Sequence, residues 1–270
     1  GGSSPIIRFI LGFFVMIGAL MFLGCPIRMI LRLGGGDLNA LFGIAGFAGG
    51  IGFGTIFLKK GYSLQRTYAL SKLESAMMPA IQVGLLVLVV TAPAFIFFSQ
   101  KGPGAMHAPW LISLAAGLVV GGLSQFSRLC TVGGFRDLFL FKKSILIFGY
   151  LAVLVGVFLV NISFGNFHLG FENQPIAHTD GLWNFLGMAL AGFCSVLLGG
   201  CPLRQLIMTG EGNSDAAVTV LGLAAGAAFA HNFGLAASGA GPTLNGQIAV
   251  GVGFVVALII AILNTKRANA

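Results

Sequence analysis

The sequence predicts an all-α, polytopic membrane protein of about eight membrane segments, arranged as inverted repeats with short or re-entrant helices that carry cysteines. Three observations predict it: an apolar composition, a series of long apolar runs, and a Gly-Cys-Pro-x-Arg motif that occurs twice. Of 270 residues, 57% are hydrophobic and 8% charged, against about 25% charged in a typical globular chain. Fifteen Lys and Arg with seven Asp and Glu cannot cover a globular surface, so most of the exterior must face lipid. Forty-two glycines suit closely packed membrane helices. The +8 balance fits a bilayer protein whose basic residues gather on one face, whereas basic patches interleaved with exposed aromatics are missing. Nucleic acid is not an expected partner.

The first apolar run, 6–24, follows Gly1-Gly2-Ser3-Ser4-Pro5 without a basic n-region or cleavage site, so it reads as a membrane helix rather than a signal peptide. Run 38–58 carries Gly46, Gly50 and Gly54, two successive GxxxG steps that let membrane helices approach closely. Runs 78–98, 109–127 and 145–164 follow, then 183–199, the shortest, and finally 216–236 and 246–264. Each approaches the length needed to cross about 30 Å of hydrocarbon, and those broken by Gly or Pro are candidates for half-helices. Trp110 and Trp183 open two of the runs, as aromatic belt residues do.

Alternating the loops places Arg8, Lys59, Lys60, Arg66, Lys72, Arg128, Arg136, Lys142, Lys143, Arg204, Lys266 and Arg267 on one face, with Arg28, Arg32 and Lys101 on the other. The basic-rich face is the expected cytoplasmic one. The segments around Arg66 and Lys142 are therefore expected inside, and those around His107 and His178 outside.

Gly24-Cys25-Pro26-Ile27-Arg28 recurs as Gly200-Cys201-Pro202-Leu203-Arg204, and the same offset of 176 relates Gly34 to Gly210, Gly36 to Gly212, Gly46 to Gly222 and Gly50 to Gly226. Five predicted crossings separate the two motifs. An odd number inverts the second copy, the architecture of secondary transporters and channels. The whole of 1–270 then forms one transmembrane domain, repeat one spanning about 1–104 and repeat two about 105–270. Subtracting the offset from Cys130 leads upstream of Gly1, so the sequence is expected to begin partway through its first repeat.

Pro26 and Pro202 suit the first position of a helix, which places Cys25 and Cys201 at the N-cap and Arg28 and Arg204 in the first turn. Helix N-terminus and guanidinium both favour an anion or a thiolate beside that sulfur, and Gly24 and Gly200 admit a ligand closely. The simpler reading is a re-entrant turn in which Cys only packs. Cys130 stands in a similar setting, between Arg128 and the pair Arg136-Asp137. Cys194 has no Arg or Pro beside it and reads as core. All four cysteines lie in apolar surroundings without zinc spacing, and free thiols are expected. His231 and Asn232 fall in a predicted membrane helix and are further candidates, either as a buried hydrogen-bonded pair or as pathway residues. His168, Glu172, His178 and Asp180 share one loop, expected to be solvated rather than metal-binding. No Walker A, triad, HExxH or Rossmann pattern is present, so the chain is not expected to be an enzyme or to need a cofactor.

On these motifs the sequence resembles the YeeE/YedE family of bacterial inner-membrane proteins, whose members include thiosulfate uptake proteins. The Arg-x-Cys segment ending in Arg136-Asp137, with Gly-Gly-Cys at 199–201, is most similar to the YedE branch associated with selenium metabolism. The resemblance implies a multi-pass protein of the bacterial inner membrane in which Cys25, Cys130 and Cys201 contact a sulfur or selenium species passing through the centre. It implies uptake of small selenium- or sulfur-containing compounds, thiosulfate-like anions among them, and a cytoplasmic sulfurtransferase-like acceptor protein. The alternative is a membrane thiol-relay or redox protein using the same cysteines covalently.

Overall fold

A computed structural model describes residues 4–64, 72–93, 95, 97, 100 and 108–265. Arg66, Lys101, His107, Lys266 and Arg267 lie outside the described residues, and Lys72 is described only as the first residue of a helix. The eight predicted apolar runs become α1 (Pro5–Phe22), α3 (Asn39–Lys59), α4 (Lys72–Thr91), α5 (Trp110–Phe126), α7 (Ile145–Ser163), α8 (Gly181–Leu198), α10 (Ser214–Asn232) and α11 (Leu244–Leu263). Three short helices complete the described set: α2 (Pro26–Gly34), α6 (Thr131–Phe141) and α9 (Pro202–Gly210). Each begins directly after a cysteine, so the motif predicted to open a short helix does so.

Among the described residues, seven helical stretches are long and apolar enough to cross a bilayer when the short helices are joined to their predecessors, for example 5–34 and 181–210. The protein is a polytopic, all-helical membrane protein. The run predicted at 78–98 is displaced, since α4 starts at Lys72 and stops at Thr91. Pro93 causes the stop. It disfavours helical geometry in the residue before it, and Ala92 takes a left-handed φ of 42°. Side-chain caps start other helices, with Asp180 accepting from the Trp183 N–H at 3.1 Å, Asn213 from Ala216 at 3.0 Å and Thr243 from Gly246 at 3.0 Å.

Helix boundaries in the two motif-bearing segments coincide at the offset of 176: α1 with α8, and α2 with α9. Packing repeats at the same offset. Gly46 and Gly50 of α3 press on the carbonyl oxygens of Phe185 and Ala189 in α8, and Gly222 and Gly226 of α10 press on those of Phe9 and Phe13 in α1. In both pairs the numbers rise together, so the paired helices run the same way. Helices α1 and α8 run oppositely, Gly18 meeting Gly187 while Phe14 and Leu190 both reach Gly253.

Two apolar cores result. One gathers α1, α8, α10 and α11 around Leu11, Val15, Leu190, Phe193 and Val250, with Cys194 inside it. The other joins Phe22, Met29, Phe47, Ile51, Tyr150 and Met188 with Cys130 and Cys201. Phe47 and Ile51 stand near the midpoint of α3, which places the cysteines between the two ends of the bundle. Arg8, one of the basic residues assigned to the basic-rich face, is buried. It pairs with Asp215 at 3.2 Å and ties α1 to α10, because a charge carried into the core needs a partner there.

Candidate functional site

Cys25, Cys130 and Cys201 are the N-cap residues of α2, α6 and α9. Pro26 and Pro202 fill the first helical position, where the N–H that Pro lacks would be unpaired in any case. Backbone geometry nearly coincides at the two copies, φ −76° and ψ 170° at Cys25 against φ −72° and ψ 164° at Cys201.

The sulfurs are used differently. Cys130 Sγ accepts the Gly133 N–H at 3.3 Å, and the backbone of Cys201 lies close by. The Cys201 thiol, which makes no cap hydrogen bond of its own, neighbours the Cys130 thiol and the backbones of Thr131 and Arg204. The N-termini of α6 and α9 therefore meet beside a pair of sulfurs, one of which accepts a backbone N–H. Such a junction favours negative charge and polarisable electron density. The Thr131 hydroxyl is buried beside Cys201 without a full hydrogen bond of its own.

Tyr150, on α7, is the residue the sequence reading missed. Its hydroxyl donates to the Pro26 carbonyl at 3.0 Å, and it lies within electrostatic reach of both Cys25 and Cys201. It thereby links the half-buried Cys25 to the buried pair. The available signal was a phenol inside the apolar run 145–164, since a buried Tyr hydroxyl normally has a partner.

The arginines divide. The stem of Arg28 folds over Gly24, and its Nε is buried without a hydrogen-bond partner. The stem of Arg204 lies over Gly200 in the same manner, but its Nη1 donates to Gln125 Oε1 at 2.6 Å, and Gln125 is in turn bonded to Glu211. Its guanidinium is thus engaged with Gln125 rather than with Cys201. Arg128 is exposed, with a left-handed φ of 52°, and makes no recorded contact with the sulfurs.

His231 and Asn232 are exposed at the end of α10, where the Asn232 amide donates to the Ala228 carbonyl. This corrects the expectation of a buried pair: α10 buries its Gly222, Gly226 and Ala230 face against α1, which turns the last turn's polar residues outward. The loop of His168, Glu172, His178 and Asp180 is also not wholly solvated. His178 is 2% exposed, its Nε2 stands 2.8 Å from the Met21 carbonyl, and its own carbonyl accepts from Asn184. The cause is structural, since these bonds seat the start of α8 on the end of α1. All four cysteines are unbonded thiols, and Cys194 is fully buried in the first core.

A cavity of about 390 Å³ opens at one end of the bundle, lined by Arg8, Tyr62, Arg136, Gln205, Asn213 and Asp215. Burial pushes the Tyr62 phenol above its usual range, so it is a neutral donor there at physiological pH.

Broken helices in like-directed pairs, with thiols and helix N-termini meeting inside, define a membrane transport protein in its architecture. The family model described as Sulphur transport matches residues 126–266, more than half of the chain, and the chain belongs to that family. The matched region contains Cys130, Tyr150 and Cys201, while Cys25 lies outside it. A comparison with curated proteins returned no match.

Proposed function

We propose that this sulfur transporter takes small sulfur- or selenium-containing compounds, thiosulfate-like anions among them, into the bacterial cytoplasm along a path through Cys25, Cys130 and Cys201. The observation that carries the reading is the meeting of the Cys130 and Cys201 thiols at two helix N-termini, with Tyr150 connecting them to Cys25. A soft sulfur anion can accept S–H hydrogen bonds and backbone N–H bonds there without a strong fixed cation to trap it, and weak serial sites permit passage. Gly24, Pro26, Gly200 and Pro202 shape the two turns, and Arg28 attracts the anion toward Cys25. Arg204 and Arg128 add positive charge farther off. In this reading the two units are inverted repeats, about 1–104 and 105–270 in one transmembrane domain, and the basic-rich face is cytoplasmic, where a sulfurtransferase-like protein takes over the substrate.

The proximity of the two thiols also favours a second reading, a covalent relay through Cys130 and Cys201. Uptake by proteoliposomes, with thiosulfate and selenium compounds in competition, tests the first. Cys25→Ala, Cys130→Ala or Cys201→Ala is expected to abolish or sharply reduce uptake in an inserted, folded protein. Tyr150→Phe is expected to reduce it partly, and Cys194→Ala to leave it intact. Normal uptake by the triple Cys25, Cys130 and Cys201 to Ala variant would refute the path. A persulfide, selenosulfide or disulfide seen by mass analysis during turnover would favour the relay.

A further inference from the structure

The second cavity of the protein, about 480 Å³, lies at the C-terminal end of α2 and is lined by Arg28, Arg32, Asp37, Asn161, Asn166 and His168 among others. The first cavity is lined by Leu58 at the far end of α3 and the second by Asp37 just before its start. At 1.5 Å rise per residue these two positions are roughly 30 Å apart, so the cavities open at opposite ends of the bundle.

The second cavity is a built site. The Arg32 side chain is 6% exposed and pinned on three sides. Its Nε donates to Asp37 Oδ2 at 2.6 Å, its Nη1 donates to the Phe22 carbonyl at 2.6 Å, and its guanidinium carbon stands 4.0 Å from the centre of the Phe22 ring. Asp37 is held in turn by the backbone and side-chain N–H groups of Asn39. What remains of Arg32 is Nη2, which is buried and has no hydrogen-bond partner, and the same is true of Arg28 Nε. The two guanidinium groups are close enough to repel each other. One carboxylate against two guanidinium groups leaves the cavity with unneutralised positive charge and buried donors that have no partner among the described residues. The opposite wall is fixed by Asn161, whose amide donates to the carbonyls of Gly34 and Val157 and so clamps α7 to the end of α2. Arg28 also connects this cavity to the cysteine path, since it lies three residues after Cys25 and its stem covers Gly24.

We propose that this cavity is an anion antechamber in which Arg28 and Arg32 hold the oxygen atoms of a small sulfur oxyanion before its sulfur reaches Cys25. The assignment rests on the transport reading above and deepens it by giving the substrate a charged, oxygen-bearing end. The donors set the class. Planar N–H groups at fixed angles match oxyanion oxygens, whereas a neutral sulfur compound offers them little. Arg32, locked by Asp37 and Phe22, fixes its charge at the cavity wall, its buried Nη2 needing a small outward shift to reach a ligand oxygen, and Arg28 follows the ligand along α2.

The test measures binding of sodium thiosulfate and sodium sulfate to the purified full-length chain by calorimetry, at ionic strength held constant with chloride. Asn166 is exposed on the cavity rim, so charge can be changed there without disturbing packing. Asn166→Asp is expected to weaken thiosulfate binding about fivefold and Asn166→Lys to tighten it by a similar factor, as one unit of charge does across a partly screened gap. Arg28→Gln is expected to cost about tenfold or more through a lost charge-assisted hydrogen bond. The triple Cys25, Cys130 and Cys201 to Ala variant is expected to keep its anion binding, since the oxygens are held elsewhere. In proteoliposomes Asn166→Asp is expected to raise the half-saturating concentration more than it lowers the maximal rate. Equal affinity across the Asn166 charge series, or binding that disappears with the cysteines and survives Arg28→Gln, overturns the antechamber. Binding and uptake separate the two readings: the charge series judges the antechamber, and uptake by the cysteine variants judges the path.

Discussion

At the Cys201 sulfur, the N-termini of two helices and a second thiol come together, and nothing in the local sequence announces the second helix. The Gly-Cys-Pro-x-Arg motif foretells the N-cap and the first turn, which are local matters of Pro geometry. It does not foretell that Arg204 would turn its guanidinium to Gln125. His178 makes the same point with a measurable consequence. Burial lowers its pKa from the usual imidazole value, the Met21 carbonyl opposing only in part. The folded state therefore holds a neutral ring while the unfolded chain takes up a proton below about pH 6.5. Stability from this group is fully present above that pH and is lost as the pH falls toward the lowered folded value. Thermal unfolding in detergent should show a loss of melting temperature on acidification through this window. His178→Gln, which keeps a donor for the Met21 carbonyl, should flatten it, and an unchanged acid slope would remove His178 as its cause.

At the scale of the helices, the glycines divide sharply by surroundings. A Cβ at Gly46, Gly50, Gly222 or Gly226 would collide with a backbone carbonyl of the partner helix, whereas one at Gly117 or Gly121 would meet nothing within 4 Å. All six look alike in the sequence. Overpacking a tight contact costs about 1–3 kcal/mol, and here rigid backbone leaves little room to relax, so Gly50→Leu is expected to cost at least that and to lower the yield of folded protein. Gly117→Leu, on an open helix face, is expected to change stability by less than about 0.5 kcal/mol. Chromatographic monodispersity and melting temperature of the two variants check this. Equal behaviour would mean that the α3–α8 contact is not close.

At the scale of the whole molecule, the two cavities give the protein two chemically distinct ends. One end has Arg8 and Arg136 with Asp215 and Tyr62, and the exposed lysines at 59, 60, 142 and 143 lie at helix ends outside the cores. The other has Arg28 and Arg32 with Asp37. The basic bias predicts that Lys142 faces the cytoplasm and Asn166 the opposite side. Single cysteines at these positions, in a protein otherwise free of cysteine, should therefore react with impermeant maleimide from opposite sides of the membrane. Labelling of both from one side would overturn the assigned orientation.

Composition by itself determined that this chain is a helical membrane protein, because 57% hydrophobic residues with 8% charged leave lipid as the only solvent for its exterior. The motif determined where the helices break, because Pro26 and Pro202 act on their own backbone. The offset of 176 marked the two units whose helix boundaries coincide. Only the tertiary structure decided which groups meet. Tyr150 reaches the Pro26 carbonyl across 124 positions of chain, Cys130 meets Cys201, and Arg8 finds Asp215. His231 and Asn232, polar residues in an apolar run, are turned outward because the small face of their helix is the one that packs. Periodicity and capping act within a few residues of one helix, whereas these encounters depend on which helix faces which, and that is settled by packing over the whole bundle.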